Sequence, residues 1–509
     1  MKILPGRLRD LLGDAAGASP RWTVVRRSVD ARREPVSFVF SLDVELDGPL
    51  PLSSNLAAPA PEESPRLEPG LMPLSEPPLV VGAGPAGLFA GLLLAEHGYR
   101  PLILERGGTV AERTSALERF ARDRKPDPEC NALFGLGGAG TFSDGKLASS
   151  QDHPWVRHAL RVFAECGAPA EILVDARPHV GTDLLGPVVT RLVARIEAAG
   201  GSVRTGVRVQ GLRLRGADLA GLETSSGFRR GCVVLLAIGH SARDTWLALE
   251  RDGLAIEPKP FQLGVRAEHP QAWVDRCQYG RMAGHPALGA AEYKLTTRVD
   301  GVPVFSFCMC PGGSTMPTVS EPGHLCLNGM SASRRDTPCA SSGLVVSLEP
   351  EDIGLRNLAD CLAWVRSIEA ACFAAGGSDY SAPAQGLMNF FRDRAGSALP
   401  PTSYPLGAVP IRLDDILPAP VVGALRPALL AFDRRIPGYL HPEALLLAPE
   451  SRASSPVRLV RDTRTREAPG AAGVYPVGEG AGYAGGIVSA ALDGMKSAAR
   501  IIEKFARPG

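Results

Sequence analysis

Apolar residues along this chain come in short runs cut by glycine, and their spacing switches between the strand and the helix period. The clearest stretch is Leu79 to Arg106, LVVGAGPAGLFAGLLLAEHGYRPLILER. It predicts a buried strand, a glycine turn, a helix rich in Ala and Leu, and a second strand, PLIL, closed by an acid. Residues 184 to 201, LLGPVVTRLVARIEAAGG, place apolar residues at helical spacing ahead of a glycine stop, and SVRTGVRVQGLRLRG after them alternates as strands do. CVVLLAIGHSARDTW, Cys232 to Trp246, predicts an apolar strand ending at Ala237 and Gly239. Near the end, GVYPVGEGAGYAGGIVSAALDG, Gly473 to Gly494, again predicts a short apolar strand, a glycine-rich turn with an acid, and a small-residue helix.

These elements divide the chain of 509 residues. Residues 1–50, with β-rich runs at Trp22–Arg26 and Val36–Leu46 around a charged segment, predict a small N-terminal α/β appendage. Residues 51–78 are rich in Pro, Ser and Glu without strong periodicity, which predicts a linker or surface-wrapping arm. A Rossmann-like domain is expected at 79–251 and again at 453–509. Between them, residues 252–452 carry more Pro and short β-like pieces such as VPVFSFCM, with helical stretches around Asn357 to Ala374. The expected fold class is α/β: a discontinuous Rossmann-like domain with an inserted mixed α+β substrate domain.

The glycine pattern in the first unit carries chemistry. Gly82 allows the tight turn out of the strand, Gly84 lets the backbone approach a pyrophosphate, and Gly87 lets the helix pack close on the sheet. With Pro85 and Ala86 they open a helix whose free N–H groups and dipole favour anions. Glu105 stands where it can accept hydrogen bonds from an adenosine ribose, and an acid there disfavours a 2′-phosphate. Arg106 and Val207 join the candidate cofactor set. GLGGAG, Gly135 to Gly140, also fits GxGxxG, but the polar segment before it and TFSDGK after it argue against a second nicotinamide site. It reads as a loop with mobile backbone whose N–H groups, with the hydroxyls of Thr141 and Ser143, approach the cofactor, and Gly137, Gly138 and Gly140 are the glycines placed there. Lys146 is a candidate to stabilise negative charge on a reduced ring.

Taken in order, the Leu79, Cys232 and Gly473 segments resemble the glutathione-reductase-like superfamily of two-dinucleotide-binding flavoproteins. The resemblance implies that FAD is the first cofactor, that Ala237 and Gly239 return the chain to it, and that Gly478 and the turn acid Glu479 hold its ribityl chain. The helix opening at Gly486 and Ile487 is then implied to point at the flavin ring. Glu479 stands where that superfamily more often has Asp, one methylene shorter. The segments NALFGLGGAGTFSDGKL, RPHVGTDLL, IGHSARDT, PKPFQLGVRAEHP, FCMCPGG and SSPVR resemble a family of bacterial FAD-dependent dehydrogenases, and the resemblance extends over nearly the whole chain. It implies fold and cofactor and no substrate.

No other segment combines strand, GxGxxG, helix and distal charge, so a dedicated NAD(P)H domain is not expected. Electrons are expected from transient NAD(P)H at the flavin face, from the substrate, or from a protein donor. Candidates for proton transfer by residue type are His179, His240, His324 and Tyr293, with Arg266 or Lys294 to orient an anionic substrate, and no catalytic residue is assigned among them. Arg458 with Ser454 and Ser455 reads as a polar turn. Cys308 and Cys310 are the one close cysteine pair. They read either as a redox couple or, as is commoner for free cysteines, as two inert residues on one face of a strand. The expected function is an FAD-dependent oxidoreductase, a dehydrogenase or reductase on a small organic substrate. The alternatives are an NAD(P)H-dependent flavin monooxygenase and a non-catalytic FAD-containing protein that binds RNA or a protein.

Charge and composition narrow the partners. With 55 basic and 54 acidic residues the chain has no global attraction for nucleic acid. MKILPGRLRDLLGDAAG has no unbroken apolar region before a small-residue cleavage site, so no signal peptide is expected. The apolar runs fall short of a membrane span. Ten cysteines without zinc-type pairing predict no metal site and thiols in a cytoplasmic protein.

Overall fold

The computed structural model describes residues 21–45 and 66–509. The beginning of the N-terminal appendage and most of the proline-rich segment lie outside the described residues.

The apolar triplets read from the sequence become the strands of one sheet. Its order is Val474–Pro476, Val234–Leu236, Leu79–Val81, Leu102–Leu104 and Ser202–Arg204, parallel at every pairing. A parallel sheet covered on both faces needs unbroken apolar strands, and Leu79–Val81, Val234–Leu236 and Val474–Pro476 are buried throughout. The helix Pro85–Glu96 leaves the turn after the central strand and is buried at ten of its positions. It is apolar all round because the sheet lies on one side and the final helix, Ile487–Lys504, on the other. Two glycines permit that closeness: a Cβ on Gly87 would run into the Gly82 carbonyl oxygen, and one on Gly494 into the Ala86 carbonyl oxygen. A three-stranded antiparallel meander, Val209–Arg215, Asp218–Thr224 and Gly227–Arg230, hangs beside this sheet.

Residues 261–450 build a second, seven-stranded sheet. Its order is Thr296–Val299, Val302–Cys310, Cys339–Leu348, Phe261–Pro270, Leu445–Glu450, Ala382–Gly386 and Ala408–Pro410, antiparallel except for the last pair. Helices Leu358–Ala375, started by the Asn357 side chain accepting from Asp360 N, and Ala419–Arg435 pack against it. Near the start, Trp22–Asp30 and Ser37–Val44 form an antiparallel hairpin held to the rest through Arg27, whose Nε donates to Asp175 at 2.8 Å.

A buried charge cluster clasps the two sheets together. Glu369, on the helix Leu358–Ala375, has no exposed surface and accepts from Arg243 at 2.8 and 2.9 Å, from Ser451 Oγ at 2.6 Å and from Arg452 at 3.3 Å. Arg243 opens a helix that follows the first sheet, whereas Ser451 and Arg452 follow a strand of the second. Among the described residues no helix is long and apolar enough to cross a membrane.

Candidate functional site

The turn after Leu79–Val81, the Gly135–Lys146 segment and the start of the final helix meet at the C-terminal end of the parallel sheet. Ligands gather there in such folds because the strands end and helix N-termini begin. Gly84 caps the first helix with no side-chain bond to its amides. A Cβ on Gly84 would meet nothing closer than Gly138 Cα at 3.9 Å, so this backbone borders open space. Gly140 lies under the final helix: a Cβ there would stand 3.2 Å from Ile487 Cγ1 and 3.8 Å from Pro85 Cγ. Gly486, which caps that helix at φ 88°, and Gly239 have nothing within 4 Å of where a Cβ would be. Behind this junction an apolar cavity is lined by Pro85, Phe89, Gly140, Thr141, Val189 and Ile487.

Glu105 is buried and ties the site together. Its Oε2 accepts from Ala83 N at 2.8 Å, and its Oε1 accepts from Gly107 N and Gly135 N, each at 2.9 Å. A carboxylate offers roughly four acceptor positions, so about one, on Oε2, remains for a ligand hydroxyl. Arg106 is engaged by Glu129 and Asp244 and lies 4.1 Å from the centre of the Phe134 ring. Val207 N donates to Glu105 O at 2.9 Å, and Ala237 N donates to Val81 O at 2.8 Å.

The glycine segment is a short 3₁₀ turn, Gly138–Phe142, and is pinned from below. The pin is Arg113, which pattern reading missed. It has no exposed surface and donates to the carbonyls of Asn131 at 3.0 Å, Leu136 at 2.5 Å, Ala132 at 2.8 Å and Gly138 at 2.9 Å. Burial pulls it down to about 10, still well above neutrality. The hydroxyls of Thr141 and Ser143 donate inward, to Leu136 O at 3.1 Å and Gly140 O at 2.7 Å, so their hydrogens serve the turn itself.

At the closing turn Gly478 N donates to Asp493 at 2.8 Å, and Asp493 is held in turn by Arg461 and Arg466. Asp493 was also missed, although it stands in the quoted run AALDG. Glu479 Oε1 accepts from Ser455 N at 3.1 Å, so the SSPVR turn supports the turn acid, while Ser454 Oγ is buried with no partner. Arg458 pairs with Glu257 at 3.3 Å. Burial pushes Glu479 up to about 7, more than the Ser455 amide and Lys259 pull it down.

Among the candidates drawn from residue type, His179 Nε2 lies 3.4 Å from Asp144. Asp144, 1% exposed in its side chain, also binds Lys146 at 2.7 Å and Arg335 at 3.0 Å. Burial works against its charge, but His179, Lys146 and Arg335 together hold its carboxyl well below the usual range. Lys146 Nζ also donates to Met309 O, which brings the glycine segment against the second sheet. His240 is lowered to about 3, by burial first and then by Arg452 and Arg243, so near neutrality it is an uncharged ring and a poor base. Arg266 is fully buried against Glu450 at 3.1 Å and is not free to orient a substrate. Lys294 is exposed, His324 caps the Pro322 carbonyl at 3.0 Å, and Tyr293 is buried with its hydroxyl unpartnered.

Known proteins bear on this geometry. Residues 77–118 match the FAD binding domain family, and residues 260–453 match the family described as FAD-dependent protein, C-terminal domain-like. An uncharacterized protein of Clostridium beijerinckii (strain ATCC 51743 / NCIMB 8052) is 39% identical over 500 residues, covering 96% of this chain and 93% of its own. A geranylgeranyl bacteriochlorophyll reductase-like protein from Thermoplasma acidophilum superposes with a TM-score of 0.35 at 14% identity over 85% of this chain and 79% of that one. Glycine oxidase from Geobacillus kaustophilus gives 0.33 at 13% identity over 85% and 95%.

Proposed function

Because this chain belongs to one family with the Clostridium protein, which it matches over nearly its full length, and its residues 77–118 and 260–453 match the FAD binding domain and FAD-dependent protein, C-terminal domain-like families, we propose that it is an oxidoreductase that transfers hydride between FAD and a small organic substrate. FAD is the cofactor. The observation that carries the reading is the convergence of Gly84, Gly138, Gly140 and Ile487 on one open junction, with two uncapped helix starts, at Gly84 and Gly486, bordering it. The residues fit the group: open glycine backbone at Gly84 and Gly486, a spare acceptor on Glu105, and the buried unpartnered Ser454 Oγ beside the Glu479 turn.

In this reading Gly84, Pro85, Ala86 and the turn at Gly137–Gly140 hold the pyrophosphate. Glu105 takes a ribose hydroxyl, Glu479 a ribityl hydroxyl, and Gly486 and Ile487 border the ring. Bound FAD supplies a two-electron acceptor and donor that no side chain offers. The chain's own part is to bind, to orient, and, through Leu88, Phe89, Val189 and Ile487, to keep the enclosed side of the junction apolar. NAD(P)H or a protein electron donor is the proposed transient partner.

The deciding experiment is the visible spectrum of purified protein under anaerobic conditions as NADPH and then NADH is added. Rapid bleaching is expected if nicotinamide reaches the ring. Persistent bands that bleach only on addition of an organic substrate mark a substrate-driven dehydrogenase. Oxygen uptake coupled to substrate and NADPH moves the reading to a monooxygenase, and a protein without flavin bands overturns it.

Glu479 adds a pH signature. A hydroxyl donated by the ligand favours the ionised carboxylate, and the free protein keeps a proton on Glu479 below about 7. Binding therefore releases that proton, and FAD affinity rises as pH climbs from 6 to 8, by up to about tenfold for each unit by which binding lowers the pKa. Flavin fluorescence titrations across that range test this, and Glu479→Gln is expected to flatten the curve. A flat curve for the unaltered protein contradicts the assignment.

A further inference from the structure

The strand Val302–Cys310 ends in Phe307, Cys308, Met309 and Cys310. In a regular strand, residues two apart have Cα atoms about 6.8 Å apart, at the far limit of what a disulfide spans. This strand is not regular there. Its register breaks between Phe307 and Cys310, Cys308 takes φ 42°, a conformation that residues with a Cβ rarely adopt, and the two sulfurs stand 4.0 Å apart.

Two cations lie against the pair, each also paired with a carboxylate, Lys146 with Asp144 and Arg266 with Glu450. Lys146 Nζ donates to the carbonyl between the cysteines, and the fully buried Arg266 donates to Cys308 O at 3.2 Å with Cys310 Sγ 3.9 Å away. Cys310 has no exposed surface, whereas Cys308 is partly exposed. The hydrogen bond from Cys310, with Lys146 and Arg266 behind it, lowers the Cys308 thiol against the effect of burial. Burial pushes the thiols of Cys326, Cys339, Cys361 and Cys372 the other way. The segment that brings Lys146 here also carries Gly138 and Gly140, six and more residues before it, at the cofactor junction, and so links the pair to that junction along the chain.

We propose that Cys308 and Cys310 are a reversible dithiol–disulfide pair that exchanges two electrons with the bound flavin. The proposal rests on the FAD reading above and adds a second redox centre to it. In the oxidising direction an S–S bond forms between the Cys308 thiolate and Cys310. The S–H bond of Cys310 breaks, and two electrons and that one proton pass to oxidised flavin, leaving the reduced flavin anion. The reverse step returns the Cys308 thiolate and the Cys310 thiol, so a disulfide-forming or disulfide-reducing partner reaction is linked to the flavin through Cys308, the more exposed of the two residues.

The test is an anaerobic dithionite titration of the FAD-loaded protein after air oxidation, paired with thiol trapping under denaturing conditions. The unaltered protein is expected to take up about four electrons per chain, two for flavin and two for the disulfide, and Cys308→Ser about two. Trypsin releases residues 299–334, which contain Cys308, Cys310 and Cys326. In the oxidised protein an alkylating reagent should label Cys326 alone, and in the reduced protein all three. Cys310→Ser provides the same reference should Cys308→Ser fail to retain flavin. Three labels at every potential overturn the pair, and a disulfide that forms without raising the electron count overturns its exchange with flavin. Failure of the FAD reading is distinct from both, since it appears as absent flavin bands while the labels still report on the sulfurs.

Discussion

Gly84→Ala is expected to give a protein that folds as the unaltered chain does and purifies without colour. The residue sits at φ −76° and ψ −178°, a conformation open to alanine, and the nearest atom to its new methyl group is 3.9 Å away. The fold therefore has no reason to object. If the pyrophosphate runs past this turn as proposed, the added carbon takes up space it needs, and FAD binding should weaken by about 100-fold, or about 3 kcal/mol. Gly87→Ala three residues on makes the opposite prediction. Its methyl group meets the Gly82 carbonyl, which is backbone and cannot swing aside, so stability itself falls by about 1–3 kcal/mol. Flavin content and the urea midpoint of the two variants separate binding from packing. If Gly84→Ala retains full flavin, the cofactor does not run past this turn.

Glu369→Gln is expected to carry the largest stability loss, about 3–5 kcal/mol. The substitution preserves volume but leaves two buried guanidinium groups facing a neutral amide. Arg243 would keep only Glu321, at 3.0 Å, which is already shared with Arg366, and Arg452 would keep only the hydroxyls of Ser241 and Ser320. Burial acts on Glu369 most strongly, but Arg243 and Arg452 outweigh it and hold the carboxyl well below its usual range. The depressed value means the contribution is present above the ordinary carboxylate pKa and is lost only as pH falls toward the folded one. A shift in urea midpoint equivalent to less than about 1 kcal/mol would show that the charges relax to water and do not clasp the sheets.

Much of this molecule was readable from local pattern. The run Leu79–Arg106 announced a strand, a glycine turn and a helix because each is set by neighbours a few residues away, and Asn357 marked a helix start for the same reason. Glu105 was readable as a candidate because its distance from the turn follows from the strand and helix between them. Its bonds to Ala83, Gly107 and Gly135 were not, since Gly135 reaches it from 30 residues further on. Arg113 gave no signal at all. An arginine in the first turn of an amphipathic helix is ordinarily solvated, and only the fold of the loop at 131–138 brings four carbonyls around it. The pair Cys308 and Cys310 was readable as a pair, since positions two apart share a strand face. Its electrostatic setting was not, because Lys146 approaches from more than 160 residues away.

The sequence by itself determined the elements, the alternation of strand and helix, and the phosphate-type turn, because backbone preference and hydrophobic period act over a few residues. Only the tertiary structure decided which charges face one another, which cations approach the sulfurs, and which glycines border the open junction. Those outcomes depend on strand order and crossover, which bring together residues far apart in the chain and set burial, and burial is what makes a carboxylate, a guanidinium or a thiol behave unlike its free counterpart.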